Sequence, residues 1–572
     1  MVTGYGDERI VGTIERLSGN FSNSLCGTGL VIGTLLFVGS LTPSLLPRSY
    51  LVQGILSGSC FAVGYGLGIL GRWLWNFLEL PVGIQSRRKH LINFVFVLCV
   101  FTILFALWQT KYWQNSVRFV MNMEPVNNAQ PLSISLIAIL TFIFFLAMGR
   151  IFKLISRWIS AHMKRLLPRR IANVLAVFGA TFLFVFIING LIARGVMHMA
   201  DASFRMADAL MPPESMPPQI ALKTGSDSSL IAWSELGKTG RDFVSTGITA
   251  EQIQAFTDRP AMEPIRVYVG LTAAETPIER AQLALRELQR VDAFSRSALV
   301  IITPTGTGWI DPAAINSLEY LYRGNVASVA QQYSYLSSPL SLLVDPDNGQ
   351  ETARALFLEV YGHWISLPDN LRPKLYLHGL SLGAMNSERS ADVFEILGAP
   401  PSGALWSGPP FTSSYWRNFT VARNAGSPAW LPEFRDSSFV RFMNQNGSPV
   451  PADSPWGLMR VVYLQYASDA VTFFDYRDAY REPDWMREPR GPDVSPALRW
   501  YPIVSMMQLT LDMLIANDAP MGYGHLYAPS HYIDAWIQVT GIQDWSAADI
   551  ERLKYELDTE RLRSLKVNNR SD

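Results

Sequence analysis

The chain has 572 residues, too many for one ordinary domain, and hydrophobic residues make up 49% of it against 17% charged. Its formal net charge is zero, which excludes a bulk electrostatic role on nucleic acid. Three cysteines, Cys26, Cys60 and Cys99, all lie in the apolar N-terminal part, so the rest of the chain carries neither a disulfide framework nor a thiolate metal site.

Five segments, near 24–46, 51–71, 91–109, 131–149 and 171–193, contain no Asp or Glu. Each is long and apolar enough to cross a bilayer, which takes about 20 residues of helix. The first follows a polar stretch and lacks a small-residue cleavage site, so it reads as an uncleaved span rather than a signal peptide. Basic residues set the expected orientation. Arg72, Arg87, Arg88 and Lys89 lie between spans two and three; Arg150, Lys153, Arg157, Lys164, Arg165, Arg169 and Arg170 lie between spans four and five. The alternate loops hold only Arg48, then Lys111 and Arg118. The basic loops should face the cytoplasm, with the N-terminus inside and everything after residue 194 outside. The loop "IFKLISRWISAHMKRLL" alternates apolar and basic residues at helical spacing and reads as an amphipathic surface helix on the anionic leaflet. Trp73, Trp75, Trp108 and Trp113 fall near span ends, as an interfacial belt would.

Residues 195–262 lack a strong period, and the proline-rich "MPPESMPPQ" should be extended, so this part reads as a connector. From 263 to 572 the pattern is that of a globular domain. "IRVYVGL", "ALVIITP", "VASVAQQYSYL", "KLYLHG", "GALWSG" and "VVYLQYAS" read as buried strands, and "ERAQLALRELQRV", "PAAINSLEYLY", "ETARALFLEVYGHWI" and "IVSMMQLTLDMLIA" as helices. Short apolar strands alternating with amphipathic helices predict a mainly parallel α/β sheet.

Within "YLHGLSLGAMNSERS", the run G-L-S-L-G matches a nucleophile elbow centred on Ser381, with a strand before it and a helix after it. A serine needs a base. Topology removes His90, His162 and His198; His363 sits on the preceding helix and His378 on the elbow strand itself. His525, in the glycine-flanked "MGYGHLY", is the preferred base, with His531 a few residues later as the alternative. Asp469, at the end of "VVYLQYASD", is the expected acid, with Asp475 and Asp478 as substitutes. The oxyanion hole would use the amide of Leu382, with a second donor from Thr305, Gly306 or Thr307 in "TPTGTGW". The aromatic-rich segment 409–458 either roofs the site as an acyl pocket or packs on itself. No metal-ligand spacing appears, and no cofactor is expected.

The runs "GSLTPSLLPRSYLVQGILSG", "PTGTGWIDP", "LHGLSLGAMNSERS", "LQYASDAVTFFD", "REPRGPDVSPALRWYP" and "GYGHLY" resemble the bacterial membrane α/β-hydrolases that join an N-terminal multi-span domain to a C-terminal hydrolase domain. The resemblance implies an α/β-hydrolase fold and a serine hydrolase mechanism on Ser381, Asp469 and His525, without implying a substrate. The combined expectation is a five-span domain over 1–194, a connector over 195–262 and a catalytic domain over 263–572. The protein would sit in the bacterial inner membrane, with its catalytic domain on the far side. Its partners would be the lipid bilayer and a small-molecule or lipid ester. The competing expectations are an acyltransferase on the same triad and a non-catalytic binding module of an envelope assembly.

Overall fold

The computed structural model describes residues 26–80, 88–187, 216–336 and 347–571 except 488, with a few isolated positions between. The chain divides into two compact units. One comprises Met1–Phe184, Tyr476–Met486 and Val494–Leu514; the other comprises Val185–Asp475, Arg487–Asp493 and Ile515–Asp572.

The first unit is helical. Its elements are α1 (Gly27–Leu41), α2 (Tyr50–Phe77), α3 (Arg88–Val120), α4 (Pro131–Met163) and α5 (Arg169–Val185). Among the described residues three helices are long and apolar enough to cross a membrane: Tyr50–Phe77, Asn93–Val120 and Pro131–Met163. The predicted first span is cut short. Thr42 takes extended backbone ahead of Pro43, which ends α1 at Leu41, and Pro47 keeps the following turn non-helical. At 1.5 Å per residue, α1 reaches about 22 Å, short of a hydrocarbon core of about 30 Å. The fifth predicted span is helical over α5, and much of its remainder lies outside the described residues. The predicted surface helix over 151–167 is not a separate element. No proline interrupts the run from Pro131, so α4 continues unbroken through it to Met163.

Close backbone approach joins α2 to its neighbours. A Cβ on Gly68 would lie 2.4 Å from the Gly29 Cα of α1, and one on Gly58 would lie 2.5 Å from the Ala138 carbonyl oxygen of α4. Only small residues at such crossings allow the backbones to approach this closely and maximise van der Waals contact. The turn between α1 and α2 carries a buried polar knot. Arg48 Nε donates to Asp512 Oδ1 at 2.9 Å, and the Leu45 amide donates to Asp512 Oδ2 at 3.0 Å. Arg48 also reaches Ser44 and Gln53, while Gln508 Nε2 donates to the Thr42 carbonyl at 3.0 Å. Asp512 and Gln508 belong to the helix Val504–Leu514, read from the sequence as a late helix of the α/β domain. It packs instead on α1 and α2.

The second unit is built on one seven-stranded sheet, with β1 (Ile265–Val269), β2 (Ala298–Thr303), β3 (Val326–Gln331), β4 (Lys374–Leu380), β5 (Gly403–Ser407), β6 (Val440–Met443) and β7 (Arg460–Leu464). The order is β1-β3-β2-β4-β5-β7-β6, and every pairing is parallel. Nearly every strand residue is buried, the pattern of a parallel sheet covered on both faces. The main helices are α6 (Pro277–Arg290), α7 (Pro312–Leu321), α8 (Asn348–Ser366), α9 (Leu382–Ser390), α10 (Pro529–Thr540) and α11 (Ala547–Ser571). Their starts are encoded locally. Thr276 and Glu279 form a capping box ahead of Pro277, and Asp311 caps α7 ahead of Pro312.

Two features differ from the sequence expectation. Strand β6 arises inside the aromatic segment 409–458, where no strand was expected; four residues are too few to show a period. The connector also carries structure, with helices Gly237–Ser245 and Ala250–Thr257, the first packed on β1. The first half of "MPPESMPPQ" lies outside the described residues.

Candidate active site

Strand β4 lies mid-sheet between β2 and β5, and it delivers Ser381 at its C-terminal end. Ser381 adopts φ 57°, ψ −126°, a backbone region that L-residues avoid, and α9 begins at the next residue. Glycine is required on both sides. A Cβ on Gly379 would lie 2.3 Å from the Gly383 carbonyl carbon, and one on Gly383 would lie 2.2 Å from the Thr303 carbonyl oxygen. The Ser381 amide donates to the Ser407 carbonyl at 3.0 Å, and its own carbonyl accepts from Ala384 and Met385. The strained turn is thereby fixed from three directions.

The structure brings Asp469 and His525 together. His525 Nδ1 donates to Asp469 Oδ2 at 2.7 Å, with both side chains buried. The carboxylate thus selects the tautomer that leaves Nε2 as the acceptor. Nε2 is buried and has no hydrogen-bond partner among the described residues, so no bond joins it to Ser381 Oγ in this resting arrangement. Asp469 also caps the short helix Ala470–Phe473, because its Oδ1 accepts the Val471 amide at 2.9 Å. Helix cap and imidazole partner, alternatives in the sequence, are the two oxygens of one carboxylate.

The end of β5 connects this pair to the elbow. Gly408, at φ +49°, follows the residue whose carbonyl receives the Ser381 amide. A Cβ at Gly408 would lie 2.7 Å from His525 Cε1, 2.9 Å from Tyr527 Oη and 3.0 Å from Asp469 Oδ2. Tyr527 was not foreseen. Its phenol donates to Asp469 Oδ2 at 2.8 Å, onto the oxygen that already receives His525, and its ring stacks on Tyr466. It lies two residues past His525 in the same loop, but spacing alone does not reveal where a phenol points.

His378 and His531 are engaged elsewhere. His378 hydrogen-bonds the Leu405 carbonyl at 2.8 Å between Tyr532 and Trp536, and burial pushes its pKa down to about 4. His531 pairs with the Tyr466 hydroxyl at 2.6 Å, and burial lowers it also to about 4. His198 lies outside the described residues. The carboxylate that His525 meets is Asp469; of the substitutes, Asp475 ends a segment of the α/β unit and Asp478 falls in the helical unit. A second buried acid, Asp311 of "GWIDP", lies within electrostatic reach of His525. Burial raises its pKa, and the charges of Arg561 and His525 oppose that.

The loop after β2 lies against the elbow through Gly383. Of its three candidate donors, the Thr305 amide is spent on the Trp309 carbonyl at 2.9 Å and the Gly306 amide on Ser338 Oγ at 3.2 Å. Thr307 keeps an amide with no hydrogen bond among the described residues. Leu382, first residue of α9, has no intrahelical acceptor for its N–H. The rings of 409–458 pack largely on one another and on β7: Phe419 meets Phe434, Phe439 and Tyr463, and Phe442 stacks on Tyr463. Phe411 meets Phe474, and Trp416 bonds Gln465 at 2.7 Å. Among the described residues no group of three His, Cys, Asp or Glu is arranged to hold a metal ion.

A parallel α/β sheet with a strained serine at a strand–helix elbow and a carboxylate–imidazole pair at its C-terminal edge belongs to the hydrolase class of α/β folds. Comparison with family descriptions agrees. Residues 265–553 match an alpha/beta-hydrolase family, and residues 41–247 match the alpha/beta-hydrolase family N-terminus. The first match spans half of the chain, so the chain belongs to this alpha/beta-hydrolase family. Comparisons with curated proteins and with solved structures each gave no match.

Proposed function

We propose that the chain is a membrane-anchored serine hydrolase that cleaves carboxylic esters through Ser381, His525 and Asp469. The observation that carries this reading is the 2.7 Å His525–Asp469 hydrogen bond, with the imidazole's second nitrogen unpartnered, beside a serine held in strained backbone at the elbow. His525 Nε2 takes the Ser381 hydroxyl proton as Oγ bonds to the ester carbonyl carbon. The developing oxyanion is received by the Leu382 and Thr307 amides. His525 then returns the proton to the leaving alkoxide, the acyl–oxygen bond breaks, and the acyl group stays on Ser381. Water, deprotonated by the same nitrogen, bonds to the acyl carbon; the acyl–Oγ bond breaks, His525 returns the proton to Ser381 Oγ, and the acid leaves. Throughout, Asp469 stays ionised and stabilises the imidazolium. Besides His525, the Val471 amide and the Tyr527 hydroxyl each hold one of its oxygens in place.

The membrane assignment rests on three helices of sufficient length and hydropathy, with exposed apolar side chains such as Phe94, Phe101, Phe119, Leu132 and Phe144 along α3 and α4. Lys and Arg between α2 and α3 and after α4 support a cytoplasmic face for those loops, and a crossing by the fifth predicted span then puts the catalytic unit outside a bacterial inner membrane, acting on a lipid or acylated envelope component. Labelling by a fluorophosphonate probe tests the chemistry. The wild type should label and Ser381→Ala should not; equal labelling of the two overturns the proposal. A reporter fused to the C-terminus tests the orientation, which a cytoplasmic signal would reverse.

A further inference from the structure

The run "PRGPDVSP" brings to the α/β unit a second buried carboxylate that the proposed chemistry does not use. Asp493 is fully buried, and its Oδ2 accepts the Ser468 amide at 2.9 Å and the Ser468 hydroxyl at 2.5 Å. The segment is pressed onto its neighbour; a Cβ on Gly491 would lie 2.1 Å from the Ala467 Cβ. Ser468 Oγ in turn accepts the Gly524 amide at 2.9 Å. A hydroxyl has one proton to give, so committing it to Asp493 fixes the lone pair that meets Gly524.

Ser468 and Gly524 are the residues immediately before Asp469 and His525. The two loops are therefore tied twice at consecutive positions, by the Asp469–His525 bond and by the Asp493–Ser468–Gly524 relay behind it. The base loop needs such a tie. Gly522 and Gly524 both take positive φ, at +87° and +57°, and glycine at those positions leaves the loop conformationally permissive on its own. The relay acts on the backbone that carries the imidazole, and it touches neither the serine nor the oxyanion donors.

We propose that Ser468 and Asp493 are positioning residues that lock the acid–base pair of the active site in register. This inference rests on the serine-hydrolase reading. The test uses the full-length protein in detergent and a fluorophosphonate probe, separating the labelling rate at saturation from the half-saturating probe concentration. Ser468→Ala should slow saturated labelling by about tenfold or more, since catalytic pairs tolerate little displacement, with half-saturation unchanged. Asp493→Asn, which keeps an acceptor oxygen for Ser468, should label close to the wild-type rate, while Asp493→Leu should resemble Ser468→Ala. Thermal unfolding is followed on each variant, because a merely structural role would lower stability and labelling together and spare neither variant of Asp493. Wild-type labelling in Ser468→Ala, a loss that tracks half-saturation or unfolding, or an Asn variant as slow as the Leu one overturns the positioning role. A wild type that does not label overturns the hydrolase reading instead.

Discussion

Replacing Gly408 by alanine should disable the site without touching any residue that the chemistry uses. A Cβ there falls 2.7 Å from His525 Cε1, whereas carbon atoms in contact prefer about 3.5–4.0 Å. The ring, or the strand end beneath it, must retreat by about 1 Å, and a misplacement of that size costs about 100-fold in rate. The same Cβ meets Tyr527 Oη and Asp469 Oδ2 at 2.9 and 3.0 Å, so the imidazole has no compensating slide toward its carboxylate. The left-handed backbone at φ +49° adds about 1–2 kcal/mol of strain for any L-side chain. The assay is the rate of fluorophosphonate labelling alongside thermal unfolding of the same sample. Gly408→Ala should remain folded at assay temperature and label about 100-fold more slowly than wild type. A folded Gly408→Ala that labels at the wild-type rate would refute the packing of β5 against the acid–base pair.

Tyr527→Phe removes one donor from the Asp469 carboxylate. The carboxylate keeps its bond to His525 but loses its second anchor on Oδ2, so fluorophosphonate labelling should slow and thermal unfolding should show a loss of about 1.5–3 kcal/mol in stability. In the helical unit, Asp512→Ala leaves Arg48 buried and unpaired and should cost about 3–5 kcal/mol, while Arg48→Met with Asp512→Leu should recover most of it; thermal unfolding in detergent reads both. Glu388, on α9, is pushed by burial from its ordinary 4.5 to about 7, against hydrogen bonds from Tyr463 and the Tyr415 amide. The folded state holds this proton more tightly than the unfolded one, so its contribution is full below 4.5 and is lost as pH rises towards about 7. Stability of the wild type should therefore fall relative to Glu388→Gln across that window, which denaturant titrations at several pH values would check.

The turn at Ser381 and the meeting of Asp469 with His525 could be anticipated because each residue's setting is written locally. Two glycines frame Ser381, a strand end precedes Asp469, and glycines flank His525, in the chain order that an α/β hydrolase needs. Buried parallel strands were equally plain, since continuous apolar runs with turn residues between them admit few other readings. What stayed hidden depends on partners distant in sequence. The helix Val504–Leu514 carries an apolar period that says it packs but not on what, and only Gln508 and Asp512 meeting the 42–48 turn settle that. The aromatic segment concealed β6, and Pro43 ended α1 earlier than hydropathy suggested. Tyr527, Gly408, Ser468 and Asp493 went unread because their value lies in which atoms they meet at the acid–base pair.

The central claim is that Ser381 is the nucleophile, and mass spectrometry of fluorophosphonate-treated protein tests it most directly. Peptide mapping should find one phosphonyl adduct, on the peptide spanning "YLHGLSLGAMNSERS" at Ser381, and its formation should collapse in His525→Ala. An adduct confined to another residue, or none on the folded wild-type protein, would contradict the account.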